Sequence, residues 1–181
     1  MVKLNPAERV VVSYNRARIF MYQRRFDDAL LELDQGAAME PDHPLIKTFR
    51  ARVLYYRGEV EEATRLLEEV LEKNPRLDGI RPIYAICLSA QGRHAEAQAQ
   101  LTEQVKDVAA ADHDSSYWVA CVYALENDRD QAFEWLERAI TLGNENKLWF
   151  ESDRNWAALR DDQRFDELMR KIERSRPKER S

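Results

Sequence analysis

Small and large apolar residues return in a fixed order along most of the chain. Ala29, Ala63, Ala97 and Ala132 stand 34, 34 and 35 residues apart, and four residues after each comes a leucine: Leu33, Leu67, Leu101 and Leu136. Twelve residues before each alanine stands another, Ala17, Ala51, Ala85 or Ala120, followed three residues on by Phe20, Leu54, Leu88 or Tyr123. Apolar residues three and four apart share one face of an α-helix. The pattern therefore predicts a pair of amphipathic helices, repeated four times. The two alanines of each pair let antiparallel helices approach closely, and the large residue fills the space beside them.

Breaks in the pattern mark the turns. Gly58 and Gly92 fall between the helices of the second and third pairs, where a left-handed residue is expected. Asn127 holds that place in the fourth pair, and Arg24, a departure, holds it in the first. Pro41 and Pro75, also 34 apart, close the first two units. Asn5, Pro6 and Glu8 read as the N-cap, first turn and capping partner of the first helix. Helices are expected near 6–23, 27–40, 44–57, 60–73, 78–91, 94–108, 114–126, 130–142 and 162–174, with Pro82 in the first turn of its helix. The stretch 111–116 reads as a longer connector with Asp114 or Ser115 as cap.

This pattern resembles the tetratricopeptide repeat, a 34-residue helix-turn-helix with the small, large, alanine and proline slots quoted above. The resemblance covers about residues 10–144, as units near 10–43, 44–77, 78–111 and 113–146. The aromatic that often opens the motif is replaced by Ser13, Lys47, Arg81 and Ser116, and units three and four carry Ala109 and Asn144 in place of the closing proline. The implied fold is all-α: a right-handed α-solenoid of antiparallel helix pairs, with the first helix of each pair lining the concave side.

Residues 145–174 do not repeat. Their apolar set, including Trp149, Phe150, Trp156, Phe165 and Ile172, suits a cap that covers the last repeat. The phrase DRNWAALRDDQRFDEL resembles the closing stretch found after such repeats in many bacterial proteins. The two tryptophans of this segment, Trp149 and Trp156, are expected in the core. Residues 175–181 read as a basic flexible tail.

Composition narrows the function. The chain has 181 residues, 44% hydrophobic and 34% charged, with five glycines and six prolines. Such a chain is a single domain or one repeat array, long enough to bury a core without disulfide or metal staples. The net charge of −5 argues against a nucleic-acid partner. Residues 170–181 run against the trend, with six Lys/Arg and two Glu. Cys87 and Cys121 sit among apolar residues and read as reduced core thiols. The first residues lack the apolar stretch of a signal peptide, and no run is long enough to span a membrane, so a cytoplasmic location is expected.

Catalytic chemistry is not expected. His43, His94 and His113 fall at different phases of the repeat and should not converge, and Asp112-His113-Asp114 reads as a capped turn rather than a metal site. Phosphate loops, nucleophile elbows and zinc-protease motifs do not occur. The chain is thus expected to be no enzyme and to need no cofactor or metal.

Function then falls to the concave groove that the resemblance implies. The slot three before the small alanine holds Tyr14, Thr48, Pro82 and Tyr117; the slot just after it holds Arg18, Arg52, Ile86 and Cys121; the slot four after it holds Met21, Tyr55, Ser89 and Ala124. Tyrosine and arginine are enriched at binding hot spots. A peptide or protein partner is expected there, its acidic group meeting Arg18 and Arg52 on a wall open to solvent and its apolar groups packing near Ile86 and Tyr117. In the alternative, both arginines pair with neighbouring carboxylates. The places of the Lys/Asn/Asn/Lys/Arg set with which some family members grip the carboxylate of Hsp70 or Hsp90 hold Tyr14, Arg18, Phe49, Gly79 and Ile83, so a co-chaperone of that type is not expected. Competing readings are self-association into a homo-oligomer and an RNA-binding helical array.

Overall fold

A computed structural model of the chain describes residues 5–175, which form helices and turns with no strand among them. The chain divides into two compact units that meet in sequence between Ile80 and Arg81. Residues 176–181, nearly all of the expected basic tail, lie outside the described residues.

The first unit holds two helix pairs: α1 (Pro6–Tyr22) with α2 (Phe26–Ala37), and α3 (Pro44–Arg57) with α4 (Val60–Lys73). The capping box expected at the start of α1 is present. The Glu8 N–H donates to Asn5 Oδ1 at 2.9 Å, and the Asn5 N–H donates to the Glu8 carboxylate at 2.7 Å. Ala17, Ala29, Ala51 and Ala63 are fully buried, as their role in close helix approach requires. A second close approach was not foreseen. A Cβ on Gly36 would stand 2.8 Å from Ile46 Cδ1 and 3.2 Å from Ser13 Cβ, so glycine lets α2 seat against α1 and α3.

All four turn residues adopt the left-handed conformation: φ is 58° at Arg24, 105° at Gly58, 74° at Gly92 and 56° at Asn127. Gly58 ends α3 by donating its N–H to the carbonyls of Leu54 and Tyr55. Arg24 adopts the same conformation without glycine's freedom, so the turn geometry overrides its local preference.

The second unit holds α5 (Arg81–Ala90), α6 (His94–Gln100), α7 (Glu103–Ala109), α8 (His113–Leu125), α9 (Arg129–Thr141), α10 (Lys147–Ser152) and α11 (Gln163–Ser175). Ala85, Ala97, Ala120 and Ala132 are fully buried. Pro82 is the second residue of α5, where its missing N–H costs no helical hydrogen bond. The helix expected over 78–91 is shorter, because a separate 3-10 turn takes Asp78–Ile80.

Three further departures occur in this unit. The helix expected over 94–108 breaks into α6 and α7, because extended Thr102 turns its hydroxyl to the Val105 N–H and starts a new helix. The cap of α8 is Asp112, not Asp114 or Ser115; its side chain accepts from the Ser115 N–H at 2.7 Å. The C-terminal segment holds α10 and a 3-10 turn, Arg154–Trp156, ahead of the one helix expected there. Trp149 and Trp156 are buried. Trp156 packs its ring 5.8 Å from Phe133 of α9 and 5.5 Å from Phe165 of α11.

Candidate interaction surfaces

In the first unit α1 and α3 are joined by rings. Tyr14 of α1 meets Phe49 of α3 edge to face, with centroids 4.9 Å apart. The Arg18 guanidinium lies 5.9 Å above the Tyr14 ring, and that of Arg52 lies 5.1 Å above Phe49. Both arginines expected on the inner wall thus belong to one aromatic cluster, and Phe49 is the member the groove slots missed. Its signal was present: it stands one position after Thr48, on a helix whose buried face is broad.

Their exposure differs. Tyr14 and Arg18 are partly exposed. Among the described residues no carboxylate pairs with Arg18. Arg52 keeps only 6% of its surface, so the expectation of two solvent-open arginines is corrected for this one. Its guanidinium lies over Phe49 rather than out in solvent.

A second correction covers a whole slot. Met21, Tyr55, Ser89 and Ala124, each four residues after the small alanine, are all buried, Met21 completely. Residues four apart stack on one helical stripe, so a residue placed there shares the face the alanine buries. Thr48 is buried too.

In the second unit the C-terminal segment accounts for Tyr117 and Cys121. Phe150 stacks on Tyr117 with centroids 4.5 Å apart and planes 25° from parallel. The Tyr117 hydroxyl donates to Asp153 Oδ2 at 2.7 Å, and Cys121 Sγ lies 4.0 Å from the same oxygen. Asp153 itself is fully buried. It also caps the 3-10 turn, accepting from the Asn155 N–H at 3.0 Å. Burial, and after it the negative charge of Asp153, pushes the Cys121 thiol well above the ordinary range. Both residues, with Ile86 buried as well, are therefore core rather than groove lining. The signal for Asp153 was its place as cap ahead of Arg154-Asn155-Trp156.

Ser89 has a separate partner. Its hydroxyl donates to Glu126 Oε1 at 2.5 Å, and His94 Nδ1 approaches the same oxygen at 3.0 Å. His94, at a helix start, thus meets a carboxylate that sequence phase did not bring to it. Among the described residues no group of three or more His, Cys, Asp or Glu could hold a metal ion. No helix among them is long and apolar enough to cross a membrane.

Antiparallel helix pairs with two buried alanines each, joined by left-handed turns, define a helical-hairpin repeat protein. Family profiles described as tetratricopeptide repeat match residues 14–78 and 54–120, together more than half of the chain. The chain belongs to the tetratricopeptide repeat family, and its fold is of the α-solenoid class. Among solved structures it is similar to MamA from Desulfovibrio magneticus RS-1, residues 41 to the end, at 20% identity, 93% coverage of this chain, 97% of that chain and a TM-score of 0.50. A MamA RS-1 ArsTM double mutant matches at 20% identity, 93% and 96% coverage and the same TM-score of 0.50. YrrB, described as a tetratricopeptide repeat protein with an unusual peptide-binding site, matches at 14% identity, 92% and 86% coverage and a TM-score of 0.47. At such identities the likeness is one of fold. No curated protein sequence matches the chain.

Proposed function

We propose that the chain is a non-catalytic adaptor that holds a peptide or protein segment, and that Arg18 receives an acidic group of that partner. The family is one of protein-interaction modules, which supports the class of function. One observation carries the finer reading: Arg18 is partly exposed, rests over the Tyr14 ring at 5.9 Å, and pairs with no carboxylate among the described residues. A guanidinium already held on a ring gives up little conformational freedom when a carboxylate arrives, and its fork matches both carboxylate oxygens. Arg52 supports the site by packing Phe49 beneath Tyr14 rather than by facing solvent.

Fluorescence polarisation with a panel of acidic peptides tests the reading. Arg18→Glu abolishes binding and Arg18→Lys retains part of it, because a point charge replaces a fork. Equal affinity of wild type and Arg18→Glu for every bound peptide overturns it.

A second reading, self-association, is favoured by the apolar residues that α1 leaves exposed: Val11 at 51%, Val12 at 40% and Ile19 at 55%. Light scattering across a concentration series separates the two. A mass that stays at one chain removes self-association.

A further inference from the structure

The slot three residues after the small alanine is filled by Phe20, Leu54 and Leu88 in the first three pairs and by Tyr123 in the fourth. Leu54 and Leu88 are buried, whereas the two aromatics, Phe20 and Tyr123, are only partly so. Near Tyr123 the second helix of the third pair breaks at Leu101–Thr102. A cleft of about 610 Å³ lies there, lined by Gln98, Leu101 and Lys106 from one stretch of chain and by Tyr123, Glu126 and Asp128 from another. That volume falls within the range of small-ligand sites.

The cleft is negative. Glu126 and Asp128 line it. The Glu126 side chain keeps 9% of its surface and is held by Ser89 and His94, which leaves carboxylate lone pairs for another donor. Asp128, Glu103 and Glu134 all act on the Tyr123 phenol. Lys106 also lines the cleft and opposes these carboxylates, but it is paired with Glu103 at 2.6 Å, and His94 meets Glu126 from the side. Burial holds the phenol above its ordinary range; Lys106 opposes it, and Asp128, Glu103 and Glu134 add to it. Among the described residues the Tyr123 hydroxyl makes no hydrogen bond. An aromatic face beside carboxylates attracts a cation through both the ring quadrupole and direct charge.

We propose that this cleft seats a lysine or arginine side chain of a partner peptide, the cation lying over the Tyr123 ring and facing Glu126 and Asp128. The cleft exceeds one long side chain, so the flanking peptide backbone enters with it. This site is separate from the Arg18 reading and opposite to it in charge, so either can fail without the other.

The test is a titration of the full-length, ¹⁵N-labelled chain at low salt with the capped peptide Gly-Gly-Arg-Gly-Gly, followed by amide chemical shifts. Two counterparts carry citrulline or glutamate in place of arginine. The arginine peptide shifts amides within 98–106 and 122–128 in a saturable way; the citrulline peptide does so far more weakly and the glutamate peptide not at all. Tyr123→Leu restores the residue found at Leu54 and Leu88 and weakens the arginine peptide about fivefold. Asp128→Asn keeps the cap of α9, since asparagine caps as well as aspartate, and also weakens it. Equal shifts from the citrulline peptide, glutamate-peptide shifts at these amides, no response to the arginine peptide, or unchanged affinity in Asp128→Asn would each overturn the proposal.

Discussion

The Tyr117 hydroxyl donates to the Asp153 carboxyl across 2.7 Å, in a part of the second unit where Asp153 has no exposed surface. That bond fastens the non-repeating C-terminal segment to α8. A buried carboxyl that loses a donor is left with an unmet desolvation cost, so the loss exceeds that of one ordinary hydrogen bond. Tyr117→Phe keeps the ring and its stacking on Phe150 while removing only the hydroxyl. It should cost about 1.5–3 kcal/mol, the range for hydrogen bonds to charged groups. All four tryptophans lie between Trp118 and Trp156, so their fluorescence during urea unfolding reports the second unit. An unchanged midpoint in Tyr117→Phe would show that Asp153 is satisfied without it.

Much of the helix pattern could be read from spacing because it is local. The eight alanines are all fully buried, and the left-handed turn residues, Arg24 among them, stand where a 34-residue period places them. The break at Thr102 was not legible, since threonine occurs inside helices as well as at their caps and only the bond to Val105 decides between them. The candidate site was legible in part. Periodicity finds the face of a helix but not what comes to rest on it. Cys121 and Tyr117 occupy groove slots, yet Phe150 and Asp153, about thirty residues onward in sequence, cover them. Met21 failed for a simpler reason: it shares the stripe of Ala17.

Arg24 adopts φ 58°, which costs a side-chain-bearing residue about 1–2 kcal/mol and glycine little. Gly58 and Gly92 already fill the equivalent turns. Arg24→Gly should therefore stabilise the chain, by about 0.5–1 kcal/mol once the greater freedom of the unfolded glycine is set against the relief. Thermal unfolding followed by circular dichroism checks the sign; a lower midpoint would mean that contacts of the Arg24 side chain outweigh the strain.

Cys87 and Cys121 are both buried thiols outside any disulfide, and Cys121 holds its proton well above the ordinary thiol range. The thiolate is the reactive form, so neither condition favours modification. In the folded chain both should resist a thiol-reactive disulfide reagent at neutral pH and react on addition of urea. The raised value also sets a pH dependence. The folded state binds this proton more tightly than the unfolded state, so stability falls as pH rises beyond the ordinary thiol pKa of about 8.5. Cys121→Ala should flatten that alkaline fall.

Lys47 joins two carboxylates, Asp42 at 2.7 Å and Glu69 at 2.6 Å, and Lys73 reaches the same two at 3.3 and 3.1 Å. The hydrogen bonds from Lys47 are the largest cause holding both carboxyls below their ordinary values, with those from Lys73 next. A carboxyl lowered in the folded state adds stability above its unfolded pKa, and that stability is lost as pH falls through the folded value. The window here lies at and below the ordinary carboxylate range of about 4. Lys47→Met should raise both carboxyls in an NMR titration, Glu69 retaining part of its shift through Lys73 at i+4. All these carboxylates are solvated, so added salt should shrink the wild-type shifts. Shifts that persist unchanged in Lys47→Met would assign them to Lys73 alone.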